Sequence, residues 1–267
     1  MDPRPIGVFD SGIGGLTVAH EIMRRLPHES LIYFGDTARV PYGNKSPDTV
    51  RRYSREILDL MLDRGVKLVV VACNTASAHA LDDLRSDRRV PVIGVVEPGA
   101  RAAVQATHTG AIGVIGTAGT IRSGAYERAI HALNPAARVT QQACPLFVPL
   151  VEEGWLNRPA TRLIAHEYLD ALGKDGIDTL VLGCTHYPLL KPLLTEIVGK
   201  GIRLIDSAEA TAQAVADKLD ADGLSAPGNA RGRCHFIVSD APDTFERVGK
   251  AFLGEPVRDI ELVTLGE

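Results

Sequence analysis

The sequence predicts an α/β protein with mainly parallel sheets, arranged as two pseudo-symmetric three-layer α/β domains with the active site in the cleft between them. Three observations lead there. Short apolar runs alternate with helical patterns almost throughout the chain, as expected of strands joined by crossover helices. The stretch Ile6-Gly7-Val8-Phe9-Asp10-Ser11-Gly12 resembles Ile112-Gly113-Val114-Ile115-Gly116-Thr117-Ala118-Gly119, which reads as an internal repeat. Roughly seventy residues after each of these comes an apolar run that ends in a cysteine, Val69-Val70-Val71-Ala72-Cys73-Asn74-Thr75 and Leu180-Val181-Leu182-Gly183-Cys184-Thr185-His186. Ligands of open α/β sheets bind at the carboxyl ends of the strands. A pseudo-twofold relating the halves therefore sets the two thiols opposite one another.

The elements follow in order. A first strand is expected at residues 6–9, then a helix with Val18, Ile22, Met23 and Leu26 on one face that stops at Pro27, because proline cannot continue it. A second strand covers 31–34. Ser46-Pro47 starts the next helix with a cap and a first-turn proline; it buries Val50, Tyr53, Ile57 and Leu60/Met61 and ends at Gly65. Strands are expected at 68–72, 92–95, 112–115, 139–142, 179–182, 204–205 and 236–238. A helix from Pro159 carries Leu163, Ala165/His166, Leu169 and Leu172 and ends at Gly173. Ser207 caps a helix running through Val215 and Leu219, and 220–233, rich in Gly, Ala and Pro, reads as a surface loop. The last strand and a helix near Phe245, Val248 and Phe252 complete the first sheet. Val96-Glu97-Pro98-Gly99 is read as the crossover between the halves and Ile205-Asp206-Ser207 as the return. The first domain is then discontinuous, residues 1–97 with 207–267, and the second is 98–206.

Composition narrows the function. The 267 residues are 45% hydrophobic and 23% charged, as in soluble globular proteins. A net charge of −4 argues against a nucleic-acid surface; Arg51-Arg52 and the 85–89 stretch read as solvated helix ends. No apolar run is long enough to cross a membrane, and the N-terminus enters its first strand with no signal-peptide pattern. The expected location is the cytoplasm, with reduced thiols. The four cysteines, Cys73, Cys144, Cys184 and Cys234, form no CxxC pair, which argues against a zinc knuckle or a thioredoxin-like site.

Several residues are candidates for chemistry. Cys73 and Cys184 each precede an expected helix N-terminus, where amides and peptide dipoles lower a thiol's pKa from about 8.5 toward 7. Such a pair can act as base and acid on two faces of one carbon. Cys144 and Cys234 read as small buried hydrophobes. Asp10 and His186 stand at strand ends where either can move a proton or orient a thiol; a structural hydrogen bond is the plainer role for His186. Asp10-Ser11-Gly12-Ile13-Gly14-Gly15 is either an anion-binding turn or a tight structural one, and it matches neither the dinucleotide fingerprint nor a P-loop. Ser11, Asn74, Thr75, Thr117, Thr120 and Thr185 suit the donors and acceptors of an amino-acid zwitterion, or else cap helices. The loop Asp36-Thr37-Ala38-Arg39-Val40-Pro41-Tyr42-Gly43 is suited to lining a cleft. Glu152 is a second-tier carboxylate or a solvated helix-end charge.

Taken together, Gly7 to Val18, Tyr33 to Gly43, Ala72 to Ser77 and Gly183 to Pro188 make the chain resemble the glutamate racemases of the cofactor-independent aspartate/glutamate racemase superfamily over nearly its whole length. The resemblance implies that Cys73 and Cys184 are the two acid/base residues, tuned by Asp10, Glu152 and His186. It implies glutamate contacts at Asp10 and Ser11, Tyr42 and Gly43, Asn74 and Thr75, and Thr185 and His186. It further implies no metal or pyridoxal phosphate, a homodimer, and a supply of D-glutamate for peptidoglycan, hence for cell-wall biogenesis and cell shape. The N-terminal extension of members activated by a cell-wall precursor is absent from this sequence, which leaves such activation unexpected. Rival readings are a sister racemase or isomerase acting on aspartate, a hydantoin or maleate, a non-catalytic two-domain amino-acid-binding protein, and a dinucleotide- or flavin-dependent α/β enzyme.

Overall fold

The computed structural model describes residues 1–228 and 230–266. Its strands are β1 (Ile6–Asp10), β2 (Leu31–Gly35), β3 (Leu68–Val71), β4 (Val92–Gly94), β5 (Ala111–Gly116), β6 (Arg138–Ala143), β7 (Thr179–Gly183), β8 (Arg203–Asp206), β9 (Cys234–Val238) and β10 (Ile260–Leu262). They form a six-stranded sheet in the order β10-β9-β2-β1-β3-β4 and a four-stranded sheet in the order β6-β5-β7-β8. Every pairing between them is parallel. The order β2-β1-β3-β4 recurs as β6-β5-β7-β8, so the sequence repeat equates β1 with β5 and the two cysteine strands, β3 with β7.

Helices cover both faces. In chain order they are α1 (Leu16–Arg25), α2 (Pro47–Asp63), α3 (Asn74–Arg85), α4 (Val96–Ala106), α5 (Ala118–Ser123), α6 (Ala125–Leu133), α7 (Phe147–Glu152), α8 (Pro159–Lys174), α9 (Lys191–Val198), α10 (Ser207–Ala221) and α11 (Pro242–Leu253). Strand residues alternate between faces. Leu68 and Val70 of β3 pack with Leu16 and Ile22 of α1, while Val69 and Val71 pack with Ile57 and Met61 of α2. With both faces buried, these strands read as continuous apolar runs. At the base of β3 the fully buried Lys67 places Nζ 2.6 Å from Glu29 Oε2 and donates to the carbonyls of Asp2 and Leu224, each at 2.8 Å. A buried cation needs that company, and it ties three distant segments together.

Some elements differ from expectation. The short edge strand β10, Ile-Glu-Leu, has too little apolar sequence to announce itself. Asp206, not Ser207, caps α10, its carboxylate accepting from Ala208 N at 3.0 Å. Val96 to Gly99 form the first turn of α4, the helix that leads from β4 in one sheet to β5 in the other, and proline is tolerated in a first turn. On α8, Leu163 is 71% exposed and His166 is exposed, and the buried stripe is Ala165, Leu169 and Leu172. Tyr53 and Leu60 of α2 are only partly buried. The loop expected at 220–233 begins after Ala221, and its Asn229 lies outside the described residues.

The strand ends of the two sheets meet through glycine. A β-carbon at Gly14 would lie 2.3 Å from Thr185 Oγ1 and 2.5 Å from His186 Nδ1, and one at Gly43 would lie 2.7 Å from Thr117 Cβ. No side chain fits either place without displacing the partner. We predict that Gly14→Ala lowers unfolding free energy by about 1–3 kcal/mol, read by urea denaturation. Gly201→Ala, with no atom within 4 Å of its new methyl, should stay within about 0.5 kcal/mol of the parent.

Candidate active site

Both thiols stand where a buried strand stops. Ala72 N still donates to Phe9 O at 2.8 Å, and Cys73 then leaves the sheet to become the N-cap of α3, Sγ accepting from Ala76 N at 3.5 Å. Its thiol donates to Ser11 Oγ at 3.6 Å. Cys184 follows β7 directly. The segment after it is a turn and the 3-10 stretch Tyr187–Leu190 before α9 begins at Lys191. Only Cys73 therefore has the expected helix N-terminus. The expected fall in thiol pKa is also wrong for Cys73. Burial pushes it up to about 12, the nearby Asp10 charge adds to the rise, and the Ala76 N–H and Ser11 offset only part of it.

Cys73 and Cys184 line one cavity of about 30 Å³. Ser11, Asn74, Thr75, Thr117 and Thr185 line it with them, as do His186, Tyr42 and Gly43. Three of the expected residues stand behind the wall. Asp10 is fully buried beneath it, accepting from Gly12 N at 3.0 Å and from Thr185 Oγ1 at 3.5 Å. Thr120 completes a hydroxyl cluster, 3.2 Å from Thr75 Oγ1 and 3.1 Å from Thr117 Oγ1. Glu152 reaches the cavity only through His186. Val40, Pro41 and Val148 add apolar wall; of these, Val148 of α7 had no sequence signal. Cys144 is buried elsewhere and Cys234 is partly buried on β9. A larger hollow of about 420 Å³ between α3, α4 and α6 contains neither of the paired cysteines.

The surroundings of the two sulfurs differ. Cys184 Sγ lies 3.8 Å from His186 Nδ1, and His186 Nε2 lies 2.9 Å from Glu152 Oε1. The ring of Phe252 from α11 meets the imidazole edge-on, 5.3 Å between centroids. Burial alone would lower the His186 pKa, but hydrogen bonds to Cys184 and Glu152 and their charges raise it to about 10. Both bonds favour the protonated imidazole. On the Cys73 side the charged neighbour is Asp10, whose own pKa burial raises, with the His186 charge and the Gly12 and Gly15 amides opposing.

The lip formed by Val40 to Gly43 is held from behind. Buried Asp36 accepts from Arg39 Nε at 2.7 Å, from Ser239 Oγ at 2.9 Å and from the Tyr42 hydroxyl. Arg39 also pairs with Glu56 and stacks 4.0 Å above the Tyr53 ring. A carboxylate with three donors is stable in a dry site, and it fixes the backbone on both sides of Pro41.

Among known proteins, the model of the Asp/Glu/Hydantoin racemase family matches residues 15–215. A glutamate racemase of Geobacter metallireducens is 55% identical over 99% of this chain and 98% of its own. The crystal structure of a glutamate racemase isoform from Bacillus anthracis superposes with a TM-score of 0.95 at 41% identity, covering 98% of each chain. That of Francisella tularensis, solved in complex with D-glutamate, gives 0.93 at 38% identity, covering 99% of this chain and 98% of its own. The chain therefore belongs to the Asp/Glu/Hydantoin racemase family and, within it, to the glutamate racemases.

Proposed function

We propose that this chain interconverts L- and D-glutamate without a cofactor, Cys73 and Cys184 exchanging the α-proton with opposite faces of the substrate. The observation that carries the reading is that the two thiols, far apart in sequence, line one small cavity. Its support is the glutamate racemase relatives and the D-glutamate held by the Francisella tularensis structure. In one direction Cys184 as thiolate removes the proton of L-glutamate and the Cys73 thiol protonates the other face; D-glutamate reacts through Cys73 as base. The environments favour opposite roles. His186, whose protonated form Glu152 favours, lies 3.8 Å from Cys184 Sγ, where thiolate charge must be carried. Burial and Asp10 hold Cys73 as the thiol.

An amino-acid α-proton is far less acidic than a thiol, so charge developing on the substrate must be met by preorganised donors away from water. Asn74, Thr75, Thr117 and Thr185 with the Tyr42–Gly43 backbone serve the carboxylates, Ser11 and Asp10 the ammonium side, and Thr120 steadies the threonines. Glu152 orients and charges His186. A cavity of about 30 Å³ holds about one or two waters, so glutamate enters when the halves part and reacts when they close. The moving bodies in this reading are residues 1–97 with 207–267, and 98–206. No helix among the described residues is long and apolar enough to cross a membrane. A cytoplasmic homodimer supplying D-glutamate for peptidoglycan fits the family.

Cys73→Ala and Cys184→Ala are each expected to lower L-to-D conversion by at least about 10³-fold, followed by polarimetry; substantial turnover in either variant would contradict the reading. Glu152→Gln removes one of the charges that hold His186 protonated. The alkaline limb of kcat/KM should then move down by about one pH unit. The same pair carries a stability signature. The folded His186 pKa, about 10, lies above the ordinary 6.5. Its contribution is thus fully present below about 6.5 and lost as pH rises through 10. Glu152→Gln should therefore destabilise the fold at pH 6 more than at pH 10, measured by thermal unfolding at both values.

A further inference from the structure

Asn74 and Tyr126 meet across the two halves of the molecule. Asn74 opens α3, next to Cys73, and is buried. Tyr126, in the first turn of α6 in the other half, is fully buried and donates from its hydroxyl to Asn74 Oδ1 at 2.7 Å. The other end of the amide is unmatched: Asn74 Nδ2 is buried and has no hydrogen-bond partner among the described residues, although Asn74 lines the cavity shared by the thiols. A buried, unpaired N–H group is costly unless something fills its place.

The direction of the chain is set from behind. Gly99 of α4 stands so close behind the phenol that a β-carbon there would lie 3.1 Å from the Tyr126 hydroxyl oxygen and 3.2 Å from Ser207 Cβ, and burial pushes the phenol pKa well up. The phenol therefore keeps its proton and gives it to Asn74 Oδ1. Half a turn of the amide would take away the acceptor that the phenol proton now has. The same ring lies against Gly183, where a β-carbon would be 3.1 Å from Tyr126 Cε2, directly before Cys184. One side chain thus touches the neighbours of both thiols.

We propose that Tyr126 is a positioning residue for the racemisation: through its bond to Asn74 Oδ1 it holds the Asn74 amide with Nδ2 toward the cavity, as a fixed donor to a substrate carboxylate. This rests on the racemase reading above. It also makes the donor dependent on closure, since Tyr126 and Asn74 come from different halves and are joined only when these are together.

The test is a KM-against-kcat split. Tyr126→Phe keeps the ring and removes the hydroxyl. It should raise KM for both glutamate enantiomers about tenfold, with kcat within about threefold of the parent, as for loss of binding that is equal in ground and transition states. In an Asn74→Ala background the same change should alter KM less than about twofold, because Tyr126 acts through Asn74. Asn74→Asp keeps an acceptor for the Tyr126 hydroxyl and removes the Nδ2 donor; it should raise KM in the same sense by at least about tenfold, and it decides the matter if Tyr126→Phe does not fold. Unchanged KM in the folded variants, or a full additive effect in the Asn74→Ala background, overturns the proposal while leaving the racemase reading intact. A parent protein with no turnover of glutamate overturns that reading and this proposal with it.

Discussion

The site depends on glycine main chain that lets side chains of the other half come close. Gly14 admits Thr185 and His186 to within a distance that no β-carbon would allow, and Gly43 does the same for Thr117. Because side chains of one half pack there directly on glycine main chain of the other, the segments that carry Cys73 and Cys184 close on one cavity of about 30 Å³. Much of the electrostatics follows. Asp10, Cys73 and His186 are taken out of water: burial raises the pKa of Asp10 and of Cys73, while hydrogen bonds to Cys184 and Glu152 outweigh burial and raise that of His186.

The two halves repeat the same strand order but surround their thiols differently. Cys73 has an N-cap position, Ser11 and the buried Asp10. Cys184 has an imidazole backed by a carboxylate and an aromatic ring. A symmetric reaction on a substrate with two enantiomers needs only that both sulfurs can reach the α-carbon; it does not need identical environments. Burial and Asp10 raise the pKa of Cys73, while Cys184 has the imidazole 3.8 Å from its sulfur, a difference that suits the opposite proton-transfer roles proposed for the two thiols.

Much of this was legible in the sequence, and the failures have physical reasons. Buried parallel strands write themselves as apolar runs, so β1, β3, β5 and β7 and the cysteines after β3 and β7 could be placed from sequence. The repeat of Ile6 to Gly12 at Ile112 to Gly119 anticipated the recurring strand order. Thr75, Thr117, Thr185 and His186 follow strand ends and Tyr42 ends the loop after β2, where the sequence pattern put them. Val148 and Tyr126 were not, because they reach the site from helices whose local pattern only reports burial. The thiol pKa was misjudged because a helix N-terminus is visible in sequence while the depth of burial that outweighs it at Cys73 is not. On α8, Leu163 fitted the apolar pattern, but the helix turns that side to solvent.

The most direct test of two opposed thiols uses the first turnovers of cofactor-free protein with L-glutamate in deuterated water, read at the α-position by NMR. The account predicts that D-glutamate forms carrying α-deuterium while the unreacted L-glutamate keeps its protium, since the proton is removed by one sulfur and the replacement comes from the other. D-glutamate formed with its original α-proton, or deuterium entering L-glutamate as fast as product appears, would contradict it.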